Sequence, residues 1–86
     1  MTNPRCEALA LLDELLERLD DVSRQRALGM IVTRRGKQGR AALDHASLGA
    51  IAGVLAFCSG TLQERGQIGA AERERVRAYL RMALGR

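Results

Sequence analysis

Residues 41–59 read AALDHASLGAIAGVLAFCS, and their reading decides the fold. From Ala46 to Cys58 there is no charge, and Ser47 is the one clearly polar side chain. The stretch predicts a helix over 41–59, and a helix that is apolar all round must be buried on all sides. Gly49, Gly53 and Ala56 recur at spacings of four and three, while Ala42, Ala46 and Ala50 make a second row of small residues. Rows of this kind let the backbone of another helix approach closely. So short a chain has too few other helices to cover every face of this one, and the expected arrangement is a central helix sandwiched by its own chain and by a second copy. The expected self-association seam is Ala46, Gly49, Ala50, Gly53 and Ala56. Asp44 and His45 are expected in the first turn of the same helix, where an acid suits the helix dipole.

Toward the N-terminus, residues 5–21 (RCEALALLDELLERLDD) give the clearest amphipathic helix. Asn3 suits the N-cap and Pro4 the first helical position. Leu9, Leu12, Leu16 and Leu19, flanked by Ala8, Leu15 and Val22, make a broad apolar face, with Asp13, Glu14, Glu17 and Asp20 largely opposite. Barely two heptads are too few for an independent coiled coil, so this helix reads as one wall of a bundle. Residues 23–35 (SRQRALGMIVTRR) predict a second short helix or an extension of the first, with Asp20 or Asp21 available as a cap. Gly29 weakens either reading by about 1 kcal/mol. Residues 36–40 (GKQGR) read as a loop.

Toward the C-terminus, Gly60 and Gly66 punctuate the chain, and residues 61–65 suit a helical turn. Residues 70–84 predict the last helix, with Ile68 stapled onto its first turn and Val76, Tyr79, Leu80 and Ala83 as its buried stripe. Arg73, Arg77 and Arg81 recur every four positions on one exposed face, where Glu74 can relieve Arg77 and Glu72 can relieve Arg75. The predicted fold is all-α, a small three- or four-helix bundle with a small-residue-rich central helix, forming a single helical domain over residues 1–86.

A chain of 86 residues, 47% hydrophobic and 28% charged, suits one folded domain and not a disordered tail. A single Pro excludes a collagen-like or Pro-rich linker chain. Cys6 and Cys58 form no CxxC and sit in apolar helical surroundings, which predicts two buried, reduced thiols and a cytoplasmic setting. Glu7, Asp13 and Glu14 interrupt any signal-peptide core, and the ending Ala-Leu-Gly-Arg carries no lipidation motif. The net charge of +4 is unevenly spread. Residues 1–22 are net −4, residues 23–40 hold six cations and no acid, and residues 63–86 are net +3.

The basic segment is the first functional candidate. Arg24, Arg26, Arg34, Arg35, Lys37 and Arg40 flank a glycine-containing loop and are candidate contacts for phosphates or for an acidic partner. The segment has no aromatic residue to stack on bases, and thirteen Arg to one Lys points to compositional bias as well. A helix-turn-helix fits residues 52–68 through Ala56 and Gly60, with Gln63 and Arg65 as base readers, but Gly66 leaves its second helix too short. The uncharged run from Ala46 to Leu62 has 17 residues, at the lower limit for crossing a bilayer, and is rich in Gly, Ala and Ser.

Catalysis finds little support. His45 is the only His, and its neighbour Asp44 would point about 100° away from it on a helix. Ser47 and Cys58 are nucleophiles by type alone. Cys6, His45 and Cys58 lack metal-ligand spacing, and no phosphate-binding GxxxxGK[ST] motif is present. No enzyme, metal or cofactor is therefore expected. The form is common among small regulators, antagonists and adaptors. The expected function is a non-enzymatic protein-interaction module, a homodimer that binds another protein through the acidic face of its first helix or through Arg73, Arg77 and Arg81. A nucleic-acid-binding regulator using residues 24–40 is the first alternative, and a structural subunit of a hetero-complex the second. No membrane contact is expected.

Overall fold

The computed structural model describes residues 3–31 and 40–85. The helices are α1 (Pro4–Arg18), α2 (Asp21–Gly29), α3 (Arg40–Leu43), α4 (Leu48–Glu64) and α5 (Ala70–Ala83). The fold is all-α, and no strand occurs among the described residues. α4 lies at the centre: α1 and α5 pack against it extensively and α2 more lightly.

Asn3 caps α1 by accepting the Arg5 N–H at 2.8 Å, and Pro4 stands where a missing N–H costs nothing. The buried stripe is Ala8, Leu11, Leu12, Leu15 and Leu16, continued by Leu19 beyond the helix end. It is turned slightly from the expected row: Leu9 is half-buried, whereas Leu11 and Leu15 are fully enclosed. α1 meets both α4 and α5, so its apolar face is broader than a two-helix seam. Across from it, α4 contributes Ile51, Val54, Leu55, Cys58 and Leu62. Each enclosed Leu or Ile contributes about 1.5–3 kcal/mol, against about 0–1 for a surface ion pair. Apolar burial therefore holds α1 to α4.

α1 ends at Leu19, whose backbone is extended (φ −81°, ψ 152°). Asp20 then accepts the Ser23 N–H at 3.2 Å and starts α2 as a separate helix, one that ends at Gly29. Arg24 stabilises the break. Its guanidinium donates at 2.9 Å both to the Leu19 carbonyl at the end of α1 and to the Leu16 carbonyl, which also accepts the Leu19 N–H. Ser23, Ala27 and Ile31 turn inward from this segment.

The continuous helix expected over 41–59 is instead two helices. α3 stops at Leu43, Asp44 and His45 form a turn, and α4 begins only at Leu48. Asp44 and His45 are thus not in the first turn of the central helix; both stand exposed in the turn before it. Two side chains cause this. The Ser47 hydroxyl accepts the Ala50 N–H at 3.2 Å, which makes Ser47 an N-cap and not an interior residue. Arg5 reaches across from α1 and donates to the carbonyls of Ala46 (2.7 Å), Leu43 (3.1 Å) and Asp44 (2.6 Å). The Leu43 carbonyl also accepts the Ala46 N–H at 3.3 Å, so Arg5 adds a second donor there and holds the carbonyls of Ala46 and Asp44 as well.

At its other end α4 runs on where the sequence suggested punctuation. It passes through Gly60 to Glu64, so residues 61–64 are its last turn and not a separate one. The Thr61 hydroxyl donates back to the Phe57 carbonyl at 3.0 Å, a bond compatible with helix. The true stop is Gly66, in the left-handed region at φ 67°. The Gln67 N–H returns to the Leu62 carbonyl at 2.9 Å and the Gly66 N–H to that of Gln63 at 3.1 Å, the paired bonds of a Schellman cap. Ile68 packs half-buried on the core, and Glu72 accepts the Gly69 N–H at 3.3 Å to start α5. α5 buries Val76 and Tyr79 and leaves Leu80 and Ala83 half-covered.

Candidate interaction surface

α4 is apolar on every side but is not covered on every side. Ile51, Ala52, Val54, Leu55, Cys58, Ser59 and Leu62 are buried, whereas Gly49, Ala50 and Gly60 are exposed and Gly53, Ala56 and Phe57 only half-covered. Gly49, Gly53, Ala56 and Gly60 are spaced four, three and four apart, which keeps them on one line along the helix. The line is about 16 Å long at 1.5 Å per residue. A methyl group placed at Gly53 or Gly60 would meet no atom within 4 Å, and at Gly49 only the hydroxyl of Ser47, at 3.8 Å. The backbone of the central helix is thus bare along this strip.

Four of the five seam residues read from the sequence lie on or beside the strip. Ala46 does not: it precedes α4, is 8% exposed, and has its carbonyl taken by Arg5. Gly60 completes the strip and lies outside the expected seam, because in sequence a glycine next to a turn signals a break. The spacing 49–53–56–60 was the available signal.

Toward its C-terminal end the strip opens into a groove of about 180 Å³ between α4 and α5. Ala56, Ser59, Gly60 and Gln63 line one side, and Arg73, Val76, Arg77 and Leu80 the other. This volume admits a side chain, and it falls below the roughly 300–1,000 Å³ of small-molecule sites. Arg73 is half-buried here, and its Nε is closed off from solvent with no hydrogen-bond partner among the described residues. Arg77 is exposed and pairs with Glu74 at 2.9 Å, and Arg81 is exposed one turn further on. Glu72 is attracted to Arg75 as expected, but its hydrogen bond goes elsewhere. It accepts from Arg18 of α1 at 2.8 Å, a bond that holds the Glu72 carboxyl below the usual carboxylate range.

The basic segment is divided. Arg24 is committed to the end of α1 and to Asp21, at 3.2 Å. Arg26 is exposed beside Val22, which is itself 64% exposed. Arg34, Arg35 and Lys37 lie outside the described residues, as does the side chain of Arg40.

The remaining chemical groups are dispersed. Asp20 accepts from Ser23 and from Arg65, the latter at 3.2 Å, and these two hydrogen bonds hold its carboxyl down to about 2. Burial pushes the Cys58 thiol up to about 11, so it stays protonated at neutral pH. Cys6 was expected to be buried as well but is exposed, because it lies on the outer side of α1's first turn. Among the described residues no three metal-ligating side chains gather, and no helix is long and apolar enough to cross a membrane. No protein-family model, curated protein or solved structure matches the chain.

Proposed function

We propose that this chain is a small non-enzymatic protein-interaction module, a regulator, antagonist or adaptor, that works as a helical homodimer and binds another protein. The bare strip along α4 carries the reading. A helix as apolar as α4 belongs inside a core, yet its own chain leaves Gly49, Ala50 and Gly60 in water. A second helix laid on such a strip approaches closely, and its dispersion contacts are made with backbone as well as side chains. The upper half, around Gly49, Ala50 and Gly53, is the self-contact, and α5 with its arginines is the face for the other protein. The reading includes a cytoplasmic setting, which suits an exposed, unpaired Cys6 thiol.

The test is the solution mass of wild type and Gly53→Leu by sedimentation. Open space at Gly53 means that leucine fits the single chain without a clash. The variant should keep its helical circular dichroism and fall to the monomer mass. A wild type that is monomeric at high concentration, or a dimer that Gly53→Leu leaves intact, overturns the self-association. Capture experiments run with and without nuclease test the other half: material that vanishes with nuclease moves the chain to the nucleic-acid reading.

A further inference from the structure

We infer that the groove between α4 and α5 is a docking site for an acidic helix of a partner protein, anchored by a partner carboxylate on Arg73. The inference rests on the interaction-module reading and names the chemistry of its partner. Two independent features meet at this groove. One wall is small and bare: a side chain at Gly60 would meet nothing within 4 Å, and Ala56 lies one turn before it, so a helix can come close. The other wall is cationic and incomplete.

A guanidinium has five N–H donors, and a donor shut away from water without an acceptor is destabilising. The arginines that join the helices show the contrast. Arg5, Arg18, Arg24 and Arg65 each donate to a carbonyl, carboxylate or hydroxyl on another element. Arg73 has no such acceptor among the described residues, and its Nε is closed off. A carboxylate arriving in the groove can take Nε and one terminal nitrogen together, the two-point geometry that guanidinium favours. Nε is closed off in the free chain, so the contact requires the Arg73 side chain to turn toward the groove. Arg77 and Arg81, one and two turns on, extend the positive rim for further acids on the same partner helix. Val76 and Leu80 offer apolar contact beneath.

The second copy of the chain is a poorer occupant. Its α4 carries no acid between Leu48 and Leu62, so strip-on-strip pairing brings Arg73 no carboxylate from that run. A second copy would have to bring Glu14 or Glu17 of α1, or Asp44 or Glu64 from the two ends of α4, all of them exposed.

The test uses the full chain and three fluorescent helical peptides: an alanine-faced peptide with Glu at positions spaced four apart, the same peptide with Gln at those positions, and residues 3–19 of this chain. The Glu peptide should bind about 10- to 100-fold more tightly than the Gln peptide, the range of a charge-assisted pair. Arg73→Gln should abolish that preference, and Arg73→Lys should recover little of it, since an ammonium cannot make the two-point contact. Gly60→Leu should weaken both peptides. Unchanged melting curves in each variant separate these effects from misfolding. Equal affinity for the Glu and Gln peptides, or no binding of either, overturns the inference while leaving the Gly53→Leu test of the dimer untouched. Preferential binding of residues 3–19, with mass growing open-endedly with concentration, assigns the groove to a second copy and also overturns it.

Discussion

Replacing Arg5 by Ala removes the link between the start of α1 and the corner ahead of α4. Three carbonyls lose the guanidinium: Ala46 at 2.7 Å, Asp44 at 2.6 Å and Leu43 at 3.1 Å, the last keeping the Ala46 N–H. The bonds to Ala46 and Leu43 are part-buried and that to Asp44 is exposed. A hydrogen bond from a charged donor contributes about 1.5–3 kcal/mol, and less where water replaces it. Two bonds near the lower end and a negligible third give a loss of about 2–3 kcal/mol. A domain of this size has on the order of 4–13 kcal/mol in all. The melting midpoint should therefore fall by about 10–20 °C, read from circular dichroism at 222 nm. The acceptors are neutral carbonyls, so the loss should persist in about 1 M salt, unlike that of a screened surface ion pair. Arg5→Lys should recover less than half, because one ammonium cannot serve carbonyls on both sides of the turn. A midpoint within about 2 °C of wild type, or a deficit that salt erases, would refute the role given to Arg5.

Three further outcomes follow from other features. Asp20 is held at about 2 in the folded chain, below its ordinary value of 3.8, so its stabilising effect is complete above about pH 4 and is lost as pH falls toward 2. Asp20→Asn should lower the midpoint at pH 7 and by much less near pH 2, where the folded carboxyl is half protonated; an equal drop at both would reject the assignment. One thiol per native chain, Cys6, should react with a maleimide, and Cys58 only after denaturation; two rapid native labels would show that α4 is not packed as described. Gly60→Ala should stabilise the isolated chain by about 0.4–1 kcal/mol, because helix is retained and the methyl group has open space. Gly66→Ala should destabilise it, since φ 67° strains any side chain. Urea midpoints of the pair moving in the same direction would contradict one of the two conformations.

The sequence made the helices legible where their causes are local. Asn3 and Pro4 mark the start of α1, the leucines of residues 9–19 mark its buried side, and Val76 and Tyr79 mark that of α5. The division of residues 41–59 was not legible, because half of its cause is distant. Ser47 suggests a cap only once the chain ahead of it is known to turn, and what holds that turn is Arg5, 41 positions away from Ala46. The same holds for the basic segment: nothing near Arg24 in sequence shows that its guanidinium closes the end of α1. The small-residue strip was largely legible from spacing. Its bareness was not, since composition alone says that α4 wants covering and not which side its own chain leaves open.

The order of the helices along the chain also governs how the core is assembled. α4 and α5 are joined through a short turn at Gly66, whereas α1 reaches α4 only after the whole stretch between Arg18 and Leu48 has been closed. The two closures differ by about 1.5 kcal/mol of chain entropy. The α4–α5 hairpin is therefore expected to form first and to offer α1 a surface on which to close. Weakening α4 or α5 then slows folding, while weakening the late-docking α1 mainly hastens unfolding. The lifetime of the folded chain should then respond chiefly to changes in its first helix, and its rate of formation to changes in its last two.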